Sequence, residues 1–324
     1  MKLLTIISAI LIPVLTMPDL SHSQPRHLHC GGPAVAGISG IACDLCGCYL
    51  GPDPNYNFNT AGIRYKLRKF SGDKKKEQNT AEQDHAGHQH GEEETYNTAE
   101  IWGRYYLSPK FQLFGIIPVS SNLIGDETFS GAGDIQLQAK YQVFNTEVSG
   151  ETKFRNRLFL GGGVKFPTGR YNIADDSGDV EAHFQPGTGS FDFLLLGSYF
   201  AKSGYLGFAA DAAYKINTEN SNNYIFGDQL NLNGVFTYDI YADAVTLIPY
   251  AGVYFEYSPE DRNNGTADAN SGGSALLGNF GLDVTVGMFS VKLNYQPVFT
   301  QSLNGDQPQN DHRFIAGFGY SFGF

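Results

Sequence analysis

The feature that most constrains this chain is a strict alternation of apolar and polar residues, repeated over many separate stretches. In "GDIQLQAKYQVF", Ile135, Leu137, Ala139, Tyr141 and Val143 share one face, and Gln136, Gln138, Lys140 and Gln142 share the other. "MFSVKLNYQPVF" sets Phe289, Val291, Leu293 and Tyr295 against Ser290, Lys292, Asn294 and Gln296. "NFGLDVTVGM" sets Phe280, Leu282, Val284 and Val286 against Gly281, Asp283, Thr285 and Gly287. A period of two marks a β-strand with one apolar and one polar face. The final "RFIAGFGYSFGF" continues the pattern, with Phe314, Ala316, Phe318, Tyr320, Phe322 and Phe324 on one side and small residues on most of the other. Ends of soluble domains are usually polar and frayed, so this aromatic face calls for an apolar surface to meet.

About twelve such strands are expected, at 56–69, 96–107, 110–118, 133–144, 155–166, 189–201, 205–216, 227–238, 244–257, 274–286, 288–299 and 312–324. Their lengths suit tilted transmembrane strands, which need ~9–11 residues. The links between them alternate. Short ones fall at 108–109, 202–204, 240–243 and 287, with 145–154 a longer member of the same side. Long polar ones fall at 70–95, 119–132, 167–188, 217–226, 258–273 and 300–311. An even strand count, tight turns on one side and extended loops on the other form the pattern of an outer-membrane barrel. A soluble β-sandwich seldom has strands this long with links so unequal. The expected fold is all-β, a closed antiparallel transmembrane barrel over 56–324.

Composition agrees. Charged residues are 17% of the chain, with 19 Tyr, 24 Phe and 39 Gly. The net charge of −11 excludes a nucleic-acid partner, which needs a basic stripe. The chain starts with Lys2 and an apolar run from Leu3 to about Leu15. That run is shorter than the ~18 residues of a membrane-spanning helix and has the layout of a secretory signal peptide, expected over 1–24. The expected location is the outer membrane of a Gram-negative bacterium. Lipid would meet the aromatic face, and the terminal Phe324 resembles the signal recognised by barrel-assembly machinery.

With apolar faces outward, the inner wall is expected to carry Arg64, Lys66, Arg68, Glu100, Arg104, Lys140, Lys165, Asp192, Asp211, Lys215, Glu256, Asp283 and Lys292. Charges of both signs there either line a watery solute pathway or pair into a network that narrows it. A barrel of about twelve strands is narrower than a 16–18-stranded porin, so side chains or the segment before the barrel could close it.

That segment, 25–55, holds all four cysteines, Cys30, Cys43, Cys46 and Cys48, with His27 and His29 beside the first. Two disulfides are one reading of an even count in an exported chain. A copper or zinc site is the other, since thiolate and imidazole suit those ions. His85, His88 and His90 form a second candidate cluster in the first long loop, which also reads as a solvated low-complexity stretch. No cofactor is otherwise required, and a copper or zinc ion is the one candidate. The segment is too short to have its own core, so it is expected to lean on the barrel as a plug or metal relay.

Three stretches, "GAGDIQLQAKYQVF" (131–144), "GGGVKFPTGRY" (161–171) and "QPGTGSFDFLLLGSYF" (185–200), resemble in this order the outer-membrane transporter family of the meta-pathway of phenol degradation. That family is grouped with the fatty-acid and aromatic-hydrocarbon (FadL-like) transporters. The resemblance covers roughly 56–324 and implies a passive channel or transporter for small solutes, not an enzyme. Two other functions stay open beside it. One is capture or transport of a transition metal, with a metal ion as the solute. The other is a barrel enzyme, for which His183 and His312 with Asp311 are the only loose candidates and stand in no catalytic motif.

Overall fold

The computed structural model describes residues 58–71, 93–146, 154–176 and 178–323. In chain order its strands begin with β1 (Asn59–Ser71), β2 (Glu94–Ser108), β3 (Phe111–Ile124), β4 (Glu127–Ala132), β5 (Gln136–Asn145) and β6 (Phe154–Lys165). They continue with β7 (Asp192–Ser203), β8 (Leu206–Ile216), β9 (Tyr224–Ile225), β10 (Gln229–Tyr238), β11 (Ile240–Ala242) and β12 (Val245–Ser258). The last are β13 (Asp261–Asn263), β14 (Thr266–Asp268), β15 (Gly273–Val286), β16 (Phe289–Leu303) and β17 (Gln309–Phe322).

The main sheet has fourteen strands, of which β4 and β11 only lengthen hairpins, leaving twelve (14 − 2) in the wall. Every neighbour pairs antiparallel, and β1 pairs with both β2 and β17. The sheet closes where β10, already paired with β8, also pairs with β12. A closed barrel leaves no strand edge, the condition for crossing lipid with strands.

The faces fall as the alternation predicts. Ile63 is 60% exposed and Ile101 63%, while Arg64 and Glu100, one residue along each strand, are 6% and 3%. Phe314, Phe318, Tyr320 and Phe322 all point outward. Phe289 packs on Phe318 and Tyr320, making part of the aromatic band that such barrels present to lipid. Phe324 lies outside the described residues, as do the 1–24 and 25–55 segments and most of the first long loop.

The expected long loop at 119–132 is corrected by the structure. β3 runs on to Ile124, turns at Gly125 (φ 56°) and returns as β4. This ribbon runs on past the end of the β3–β5 pairing, with β3 still paired to β2 along it, and its alternation in sequence is weak. Two other expected loops also carry strands, since β9, β13 and β14 form a small separate sheet. The inner wall is corrected too. It is not only polar and small: Trp102, Phe114, Ile116, Leu194, Leu196, Phe200, Tyr254 and Ile315 are buried there.

Candidate functional site

The lumen divides by height. At the long-loop end, where β1 finishes and β2 begins, a cavity of about 690 Å³ is lined by Arg68, Phe70, Glu94 and Tyr96 on one side. Loop residues Glu181, His183 and Phe184 close in from another. We call this space the vestibule. Lys66, Glu100, Lys165, Glu256 and Arg313 also reach it from the wall.

Below it the lumen is packed. Phe200 of β7 joins Ala209, Val235, Tyr250 and Ile315 in one buried apolar cluster. β7 and β17 stand six strands apart in the sheet order, so the Phe200–Ile315 cluster reaches from one wall to the opposite one. A second cluster links Leu194 and Leu196 of β7 to Tyr254 of β12 and Leu277 of β15. Trp102 stacks on Phe114 at 5.9 Å on the remaining side. These apolar residues face inward at positions whose neighbours on the same face are charged, so strand alternation alone does not show that they meet.

The charges expected on the inner wall are there, and most are paired. Glu100 accepts from Arg64 Nε at 2.6 Å and faces Lys66 Nζ at 2.5 Å. Arg313 grips Glu256 with both terminal nitrogens, at 2.9 and 2.5 Å. Lys292 lies 3.3 Å from Asp283. Arg104 donates to Thr60 at 2.8 Å, and Lys140 donates to Ser198 at 3.0 Å. A polar girdle continues from there: Asn294 donates to Asn279 at 2.8 Å, Asn279 to Asn233 at 2.6 Å, and Asn233 to Asp211 at 3.4 Å. Asn279 and Asn233 sit on β15 and β10, with β12 between them. They meet over Gly252, where any side chain would collide with the Gly234 carbonyl. Arg68 alone of the expected set stands apart, and it is taken up below.

The three glycine-rich stretches singled out in the sequence converge on one knot. Lys165 reaches Asp134 at 2.8 Å and Asp192 at 2.7 Å. Asp134 accepts from the backbone N–H groups of Gly169 and Thr188 at 2.9 and 2.8 Å. Gly169 and Gly187 pass so closely that a Cβ on either would lie within 2.8 Å of the other's Cα. The knot ties the 166–191 loop to the rim of the wall. Asp134, Thr188 and Arg313 were not among the expected site residues. Asp134 and Thr188 stood in quoted motifs, which is the one signal that could have found them.

A second tie joins three loops above the vestibule. Tyr224 donates to Asp261 at 2.6 Å, and His183 Nε2 lies 3.0 Å from both that carboxylate and the Tyr224 hydroxyl. His183 is therefore tied to two other loops and is not merely solvated. Partial desolvation of this side chain, still 39% exposed, would lower its pKa, but the hydrogen bond and charge of Asp261, with Glu181 and Glu94 nearby, raise it above the ordinary value. Burial likewise works against the Asp261 carboxylate, yet His183, Tyr224 and the Gly227 N–H hold it below its usual range. Burial and Asp261 push the Tyr224 hydroxyl up. The His183 contribution to this tie is complete below about pH 6.5 and is lost as pH rises through its raised folded value. Amide exchange at Gly227, whose N–H donates to Asp261 at 2.7 Å, should accelerate on the alkaline side. His183→Gln should remove that step, and an unchanged profile would show that the tie does not depend on the histidine's charge.

The expected metal clusters, His27, His29, Cys30, Cys43, Cys46, Cys48 and His85, His88, His90, lie outside the described residues. Among the described residues no group of three or more His, Cys, Asp or Glu is placed to hold a metal. Nor does any serine, threonine or cysteine side chain there hydrogen-bond to His183 or His312, whose Nδ1 lies 3.0 Å from Asp311.

Among solved structures, the COG4313 outer membrane channel from Pseudomonas putida F1 matches over 82% of this chain and 96% of its own, with TM-score 0.58 and 15% identity. The β domain of the Bordetella autotransporter BrkA covers 82% and 100%, at TM-score 0.46 and 13% identity. LpxR from Salmonella typhimurium covers 81% and 100%, at 0.42 and 11%. At these identities the first likeness shows the fold. None of the curated proteins matches the chain. The family described as "MetA-pathway of phenol degradation" matches residues 72–302, a span that runs from the first long loop to the end of β16 and takes in the knot of Asp134, Lys165 and Asp192. The chain belongs to that family, as an outer-membrane β-barrel of twelve strands.

Proposed function

We propose that the protein is a passive outer-membrane channel for small polar solutes, closed at rest by its own side chains. The observation that carries this reading is the change of character down the lumen. A polar vestibule of about 690 Å³ leads onto the apolar Phe200–Ile315 cluster, which bridges opposite walls. A narrow apolar constriction under a wet mouth is a recognised way to gate a pore, because it sheds water until it widens. The charged vestibule wall favours a polar cargo and speaks against a hydrocarbon one, so the wider grouping with hydrocarbon transporters does not guide the choice of solute.

The test is single-channel recording of the full-length protein in planar bilayers. Wild type should conduct in brief, small openings, and Phe200→Ala should raise the mean conductance severalfold. Folding of the variant is checked by its heat-modifiable migration, since Phe200 also lies under the Arg157 guanidinium at 5.1 Å. A folded Phe200→Ala barrel with wild-type conductance would show that the cluster is not the barrier.

A further inference from the structure

Among the described residues, five lysines and arginines line the vestibule: Lys66, Arg68, Lys165, Lys215 and Arg313. Four have a carboxylate partner, including Lys215, which lies 3.9 Å from Asp192. Arg68 has none within 4.0 Å. Its guanidinium lies instead over two rings, 5.0 Å from the centre of Tyr96 and 5.6 Å from that of Phe70. Those rings meet each other edge to face at 5.4 Å. Stacking occupies the faces of the guanidinium and leaves its N–H donors, which lie in the plane, available for a carboxylate. Among the described residues, the cation is held in place by rings and has no carboxylate at salt-bridge distance.

The same cavity offers the opposite pole. Glu181 and Glu94 both line it, and neither has a lysine or arginine within salt-bridge distance among the described residues. Glu94 accepts a hydrogen bond from the Tyr96 hydroxyl at 2.8 Å and lies within electrostatic reach of both Arg68 and Glu181. Phe184 and Phe226 add apolar lining. The volume falls in the range of small-molecule sites, about 300–1,000 Å³. We infer that the vestibule binds small zwitterions with an aromatic or apolar side group, their carboxylate on Arg68 and their ammonium toward Glu181 and Glu94. A simple anion would have to sit beside two carboxylates, and a simple cation beside Arg68. A zwitterion satisfies both poles at once.

This inference deepens the channel reading, and rests on it for the transport role only. Binding is measured on the full-length protein in detergent micelles by calorimetry, with three probes that share one phenyl ring: L-phenylalanine, 3-phenylpropionate and phenethylamine. Phenylalanine should bind at least about tenfold tighter than either analogue, because each analogue leaves one pole of the site unmet. Arg68→Gln should bring phenylalanine to the level of phenethylamine, and Glu181→Gln should bring it to the level of 3-phenylpropionate. Arg68→Lys keeps the charge without the planar fork and should fall between wild type and Arg68→Gln. Equal wild-type binding of phenylalanine and either analogue would overturn the inference without needing any variant. So would wild-type affinity in folded Arg68→Gln protein. Conductance recorded on the same preparation separates the two claims. A conducting channel that does not bind phenylalanine overturns this site alone, and binding without conductance overturns the channel reading alone.

Discussion

Glu100→Gln is expected to cost about 3–5 kcal/mol of barrel stability, because it removes the carboxylate that two buried cations share. Arg64 and Glu100 stand directly opposite each other on β1 and β2, and their side chains are only 5% and 2% exposed. Lys66 reaches the second carboxylate oxygen from two positions further along β1. Removing the anion takes the shared carboxylate from two cations that are almost fully buried, and that penalty exceeds the value of any one hydrogen bond. Lys66→Met removes one partner and leaves the Arg64–Glu100 pair in place, so its cost should be smaller, about 1–3 kcal/mol. Replacing all three by apolar residues of similar size should cost less than Glu100→Gln, since no unpaired charge remains. Urea unfolding in lipid vesicles ranks the three proteins. A Glu100→Gln loss under about 1 kcal/mol would mean that water bathes this part of the lumen and screens the cations as it does on a surface.

That cluster also shows how far sequence reading reaches. Strand faces follow from a local rule, since each residue points opposite to its neighbour, so Arg64, Lys66 and Glu100 could be placed inward from their own strands alone. Pairs across adjacent strands need the register as well. Asp283 and Lys292 lie directly opposite across a short turn, which makes that alignment easy, whereas Lys165 and Asp192 are opposite across the long 166–191 loop, which leaves their register open in sequence. Contacts across the lumen need closure of the whole sheet. Arg313 and Glu256 are on strands three apart, and Phe200 and Ile315 on strands six apart, so no local pattern predicts them. The β3–β4 ribbon was missed for a different reason: the rule of one apolar face holds only where lipid is the solvent. The tie of His183, Tyr224 and Asp261 was missed because loops of different hairpins meet there, and sequence alternation says nothing about loops.

Lys165→Met should have an effect as large, about 3–5 kcal/mol, with a local signature that Glu100→Gln lacks. Lys165 counters two carboxylates, and Asp192 beside it has no measurable exposure at 0%. Without the lysine, Asp134 and Asp192, both buried, face each other's charge. Asp134 is at the same time the acceptor that holds the Gly169 and Thr188 amides, on either arm of the 166–191 loop. The loop should therefore loosen where the close Gly169–Gly187 contact now fixes it. Hydrogen exchange should show faster exchange at Gly169 and Thr188 in Lys165→Met, with the amides of β1 and β2 unchanged. Asp134→Asn separates the two roles. It keeps the Lys165–Asp192 pair, so the global loss should be smaller, yet it weakens the acceptor, so the same two amides should still exchange faster. If Lys165→Met lowers overall stability while Gly169 and Thr188 keep their protection, the lysine serves only to neutralise charge, and the loop is held by its glycine contacts. If the amides lose protection in both variants, one buried ion pair sets both the strength of the wall and the position of the loop over the vestibule.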